Sequence, residues 1–228
     1  MSNKTMLLGL LILMGTFVVP LPSLAQQPGR QLKEALPDLR TGDVIAHTSS
    51  SNQSEWIAKG TGSPFTHVGL IVFKRDGVFV LEAVQPVKYT PLNDWIARGR
   101  GGRYTVARVR DASPEQLRAV IAEAERFLGL AYDVRFVPDD SKIYCSELVG
   151  KAFKRAMDIE VGEWRRFDDV AEEAKKDATL RRMIKKRWGR SPDDMLVVTP
   201  VMSPDDMLVV TPADVMASPN LEVITSTY

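Results

Sequence analysis

Cys145 is the only cysteine among 228 residues, and it stands where an apolar-periodic segment begins. After it Leu148, Val149, Ala152, Phe153 and Ala156 recur at helical spacing and mark one buried stripe. A thiol in the first turn of such a helix lies near the positive end of the backbone dipole, which favours the thiolate, its nucleophilic form. The competing role for a lone cysteine is that of a small buried hydrophobe. A cysteine hydrolase needs two more groups: an imidazole within hydrogen-bond reach of the sulfur, and a polar group that fixes the imidazole. The chain has two histidines, His47 and His67. His67 opens a β-rich run just after the Gly62-Ser63-Pro64 turn, where a side chain can face a cleft, whereas His47 ends an earlier strand. Glu82 is the first candidate for the orienting group and Asp43 the reserve. Two histidines without closely spaced carboxylates or cysteines do not make a metal-ligand set, so neither a metal nor another cofactor is expected.

These groups cooperate only if the elements carrying them align. Phe65 to Phe73 and Val78 to Val84 read as two strands joined by a Lys74-Arg75-Asp76-Gly77 turn. Pairing Phe73 with Val78 sets Gly69 opposite Glu82 and His67 opposite Val84. His67 and Glu82 then share a face diagonally, at roughly 7–8 Å between backbones. A slip of one residue would send them to opposite faces. The hairpin register therefore decides whether they meet.

The remaining elements come in chain order. Leu39 to His47 is a turn and a short strand, and Ser54 to Lys59 a short helix stopped by Gly60 and Gly62. A short helix lies within Pro86 to Arg98, then a glycine and arginine turn at 99–102 and a strand at Tyr104 to Val109. Ser113-Pro114-Glu115-Gln116 is a capping box, with Leu117, Val120, Ile121, Ala124 and Leu128 as the buried face and Gly129 as the stop. Ala131 to Ser141 reads as an irregular loop leading to Cys145. Between 168 and 188 a helical pattern carries Lys175, Lys176, Arg181, Arg182, Lys185, Lys186 and Arg187. It is a solvated face or, more sharply, a 175–187 helix that docks on anionic envelope components.

Composition suits one globular domain: 44% of residues are hydrophobic and 26% charged, enough to bury a core. A net charge of +1 gives no bulk argument for nucleic acid. Residues 1–25 read as a signal peptide, with Lys4 in the n-region, an apolar run from Met6 to Val19, and a Ser23-Leu24-Ala25 cleavage site. Residues 26–36 form a tether and 37–228 the single domain. Export to the periplasm or beyond places the unpaired thiol in an oxidising space, where a leftover cysteine is flagged as reactive. The decapeptide Ser191 to Pro200 recurs unchanged as Ser203 to Pro212, a tandem 12-residue duplication too short for a solenoid. The second copy is expected to be the one used, because it runs directly into the segment 215–224.

Five segments in this order resemble a known family: Leu39 to Ile45, Ser63 to Gly69, Leu81 to Val84, Leu128 to Asp133, and Tyr144 to Val149. The chain resembles the YiiX/YebB-like group of circularly permuted, NlpC-type, papain-like cysteine hydrolases, in which the histidine strand precedes the cysteine helix. That resemblance implies an α+β fold with an antiparallel sheet packed on the Cys145 helix. It also implies Cys145 as nucleophile, His67 as base and Glu82 as third member, with Tyr144 and Tyr132 lining the cleft. The expected activity is cleavage of an amide or ester bond in a small peptide or lipid-like substrate. The alternative is a binding protein that holds an amphiphile or peptide in the same cleft.

Overall fold

The computed structural model describes residues 38–51, 54–134, 136, 139–166 and 208–228, with isolated positions 169, 176, 178 and 182. The leader, the tether, most of the basic 175–187 segment and the first copy of the decapeptide lie outside the described residues.

Strands β1 (Val44–His47), β2 (His67–Lys74), β3 (Gly77–Glu82), β4 (Lys88–Pro91), β5 (Thr105–Val109) and β10 (Leu221–Ser226) form one sheet in the order β10-β5-β1-β2-β3-β4. Every neighbouring pair in it is antiparallel. Helices α1 (Ser54–Thr61), α2 (Leu92–Arg98), α3 (Pro114–Glu125), α4 (Cys145–Met157) and α5 (Pro212–Met216) surround it. Strand β2 is nearly continuous in apolar residues because both of its faces are covered. Val68, Leu70 and Val72 pack with Val120, Leu148, Val149 and Phe153 of α3 and α4. Ile71 packs on the other side with Val80, Val106 and the α2 residues Leu92 and Trp95. Period-two alternation thus feeds two cores from one strand.

The hairpin register is the expected one: Phe73 pairs with Val78, and Lys74 with Gly77, across the two-residue turn Arg75-Asp76. Gly69 lies where this register needs a bare backbone. A Cβ there would sit 2.5 Å from Val80 Cγ1 and 2.9 Å from the Leu81 carbonyl oxygen. Gly69→Ala should therefore lower unfolding stability by about 1–3 kcal/mol through overpacking, read as a lower urea midpoint with unchanged slope.

Two sequence expectations need correction, and one short strand went unread. The capping box of α3 forms, with Gln116 N–H donating to Ser113 Oγ and Ser113 N–H to Gln116 Oε1, but the helix ends at Glu125. Phe127 takes the core position, and Leu128 is 41% exposed. The segment after Gly129 is also less irregular than it reads, because β6 (Ala131–Tyr132) pairs in parallel with β7 (Lys142–Ile143). A short strand, β4, precedes α2. Two-residue and edge strands carry too few positions for alternation to show.

The end of the second decapeptide copy enters the fold. β9 (Leu208–Val209) pairs with β8 (Arg165–Arg166). Thr211 then caps α5, its hydroxyl accepting from Asp214 N–H, and Asp214 pairs with Arg165 at 2.9 Å. The first copy continues into Val201 and Met202, which offer no carboxylate three residues past Thr199. The residues just past each repeat, rather than the repeat itself, distinguish the two copies.

Candidate active site

Cys145 is the first residue of α4 and only 3% exposed. Its neighbours are pinned from a distant part of the chain. Ser146 Oγ donates to the Val210 carbonyl oxygen at 2.8 Å, and the Val210 N–H donates to Tyr144 Oη at 3.1 Å. The first-turn N–H groups of α4 have no acceptor within the helix and point out of its start. The pairing of β6 with β7 brings Tyr132 alongside the approach to Cys145, where its phenol helps to lower the thiol pKa.

His67 and Glu82 come from the other side of the sheet and meet the sulfur at the start of β2. His67 and Cys145 each shift the other's ionisation, and the Val68 N–H also favours charge on the sulfur. His67 Nε2 lies 2.6 Å from Glu82 Oε2. Glu82 is fully buried and gathers every partner a carboxylate can take. Besides His67 it accepts from Trp95 Nε1 at 2.9 Å, from the Thr90 hydroxyl, and from Arg98 at 2.5 Å. Trp95 and Arg98 are three apart on α2, so one helix face delivers both donors.

The electrostatics follow from this contact set. Burial opposes charge on Glu82, but hydrogen bonds from His67, the charge of His67, and bonds from Thr90 and Arg98 hold its carboxyl at about 2. Burial likewise disfavours the imidazolium, yet its bonds to Cys145 and Glu82 and their charges push His67 up to about 9. The thiol is raised by burial and brought below its ordinary value by His67, the Val68 N–H and Tyr132. Directions on the two partners agree: each favours the charged form of the other, an imidazolium facing a thiolate. Burial and the neighbouring sulfur charge push the Tyr132 phenol well above its usual range, so it stays a proton donor.

Cys145, His67 and Glu82, placed far apart in sequence, are thus brought into one interacting group, with Tyr132 acting on the sulfur. Tyr144 sits elsewhere: it is 4% exposed, its hydroxyl is taken by Val210, and its ring lies edge-on to Phe136 at 4.9 Å. It docks the 208–212 segment rather than facing a cleft. The reserve Asp43 is occupied by Arg108, with Nε 2.7 Å from Oδ1, and by the Arg40 N–H, so it orients no imidazole. His47 is the Cα partner of His67, with ring centroids 5.5 Å apart, and stacks on Trp95 at 3.9 Å. Burial, then the charges of His67 and Arg98, hold it neutral with a pKa of about 3. Thr90, Trp95, Arg98 and this stack were not singled out from sequence. The available signal was a tryptophan and an arginine at i and i+3, since a buried indole N–H requires an acceptor.

Residues 38–225 match the model of the permuted papain-like amidase enzymes of YaeF/YiiX type, the C92 family. An uncharacterised protein of Escherichia coli strain K12, YiiX, is 35% identical over 202 residues, which cover 88% of this chain and 90% of that protein. A crystal structure of yiiX from Escherichia coli O157:H7, described as a metalloprotein, superposes with a TM-score of 0.72 at 35% identity. It covers 83% of this chain and 98% of its own. Among the described residues here, no three His, Cys, Asp or Glu side chains are placed to hold a metal ion, and the donors around Glu82 are cations and hydroxyls rather than further ligands. With its histidine strand ahead of its cysteine helix and a sheet that is antiparallel throughout, the chain belongs to the permuted papain-like amidase family and is an α+β cysteine hydrolase of amidase or peptidase type.

Proposed function

We propose that Cys145 attacks the carbonyl carbon of an amide or ester, with His67 as acid and base and Glu82 holding the imidazole. The observation that carries this reading is the hydrogen bond of 2.6 Å between Glu82 and His67, with the His67 imidazole raised and the Cys145 thiol lowered in pKa by one another. The thiolate forms a bond to the carbonyl carbon while the carbonyl electrons move to oxygen. The Cys145 N–H and the Tyr132 hydroxyl are the donors assigned to that developing charge; removing one such donor typically costs about 10²–10³ in rate. As the tetrahedral adduct collapses, His67 gives its proton to the leaving amine or alcohol, and a thioester remains on Cys145. Water, deprotonated by neutral His67, then releases the acid and regenerates the thiol.

The site is proposed to work outside the cytoplasm, on peptide or lipid-like components of the cell envelope, with the 175–187 bases contacting anionic surfaces. Two measurements test the reading. Iodoacetamide should alkylate Cys145 near neutral pH faster than it alkylates free cysteine, and the rate should fall as pH drops and the thiolate is protonated. Labelling no faster than free cysteine would point to a binding protein instead. Incubation with peptidoglycan fragments and with phospholipids, then measurement of product masses, should show a new carboxylic acid from one of them, and its absence from both would remove the envelope assignment.

A further inference from the structure

The sheet end that carries His47 and His67 also carries Tyr228, which reaches across from beyond β10. Its hydroxyl accepts from the Thr48 N–H at 2.8 Å and shares a hydrogen bond with Thr48 Oγ1 at 2.9 Å. Thr48 Oγ1 also donates to the Pro64 carbonyl oxygen at 2.7 Å, so Tyr228 is tied to the residue after His47 and, through it, to the turn that leads into His67. Phe65, two residues before His67, packs against the core cluster that holds Cys145 and meets the Tyr228 ring edge-on, with centroids 5.5 Å apart at 80°. The Arg103 guanidinium sits 5.0 Å over the same ring. Tyr228 nevertheless remains 42% exposed.

A large aromatic held at this many points yet open to water is unusual for a residue that serves packing alone. With its hydroxyl engaged by Thr48, it offers a ligand only its ring. Because the ring is already ordered, little side-chain freedom is lost when something covers it. We propose that Phe65 and Tyr228 form an apolar subsite beside the Cys145–His67 pair, receiving an uncharged hydrophobic substituent next to the scissile carbonyl. Tyr228 is then a specificity-determining residue, and this assignment rests on the hydrolase reading above.

Maleimides that differ only in the nitrogen substituent test the subsite without a known substrate. Second-order rate constants for Cys145 are measured with N-benzylmaleimide and N-methylmaleimide in the full chain, each divided by the value for N-acetylcysteine. The benzyl-to-methyl ratio should exceed one in the wild type and fall about three- to tenfold in Tyr228→Ala, the range of an aromatic contact. Phe65→Leu, which keeps an apolar side chain on the core while removing the ring, should lower the ratio in the same direction. A wild-type ratio no greater than one, or a ratio unmoved in both variants, overturns the subsite while leaving the hydrolase reading in place. Failure of both reagents to label Cys145 overturns the hydrolase reading itself, and the subsite with it.

Discussion

Replacing Cys145 by serine is expected to lower kcat/KM roughly 10³- to 10⁶-fold, with the protein still folded. The size of the loss follows from acidity. His67 and the Val68 N–H shift a thiol toward its ionised form, and the thiol begins within reach of neutral pH. An alcohol begins many units higher, and the same neighbours do not ionise it. Serine also places a shorter-bonded oxygen where the larger sulfur had met His67 and Tyr132, lengthening both contacts. The fold should tolerate the change, since the position is small and already lined by donors. Hydrolysis by the variant within tenfold of wild type would show that another group attacks the substrate.

Glu82→Gln is expected to reduce kcat about 10²–10⁴-fold and to move the alkaline limb of the rate profile down by about 1–3 pH units. With Glu82 present, His67 keeps its proton up to about pH 9, so the acid that protonates the leaving group persists until then. The amide removes the charge that holds this proton, and its NH2 can face the Nε2 of a neutral ring tautomer that no longer supports an imidazolium. It also turns a donor toward Trp95 Nε1, or toward Thr90 and Arg98, whichever side the NH2 takes. Breaking one member of a buried charged set costs about 3 kcal/mol. The pH dependence of that deficit has a definite sign. The depressed Glu82 pKa contributes stability above about 4.5 that is lost as pH falls through about 2. The raised His67 pKa contributes stability below 6.5 that is lost as pH rises through about 9. The difference in urea stability between the variant and wild type should therefore be widest between pH 4.5 and 6.5. A flat difference across pH, or an unmoved alkaline limb, would show that Glu82 does not set the charge on His67.

The grouping of Cys145, His67 and Glu82 was legible because each member sits on an element whose pattern is strong. Cys145 heads a helix with a clear apolar stripe, and the β2–β3 turn fixes the register that aligns His67 with Glu82. What the pattern could not show was the other half of the Glu82 environment. Thr90 and Arg98 lie on a four-residue strand and a seven-residue helix, which are too short for periodicity to fix a face. Asp43 stayed in reserve behind Glu82 because a sequence does not reveal that Arg108, 65 residues away, already occupies it. Tyr144 and Tyr132 read alike for a similar reason. Only the long-range contact with Val210 separates the one that packs from the one that meets the sulfur.

The pairing of β10 with β5 carries a consequence for how the protein is made. On the ribosome His67, Glu82 and Cys145 all emerge well before residues 208–228, which clasp Tyr144 and Ser146 and cover the open side of β5. Until then a nascent chain displays Thr105–Val109 as a bare strand margin, the kind of surface on which chains stick to one another. Interrupted translation products should consequently be found in inclusion bodies or cleared by proteases, and the priming of the thiol becomes one of the last events in biogenesis.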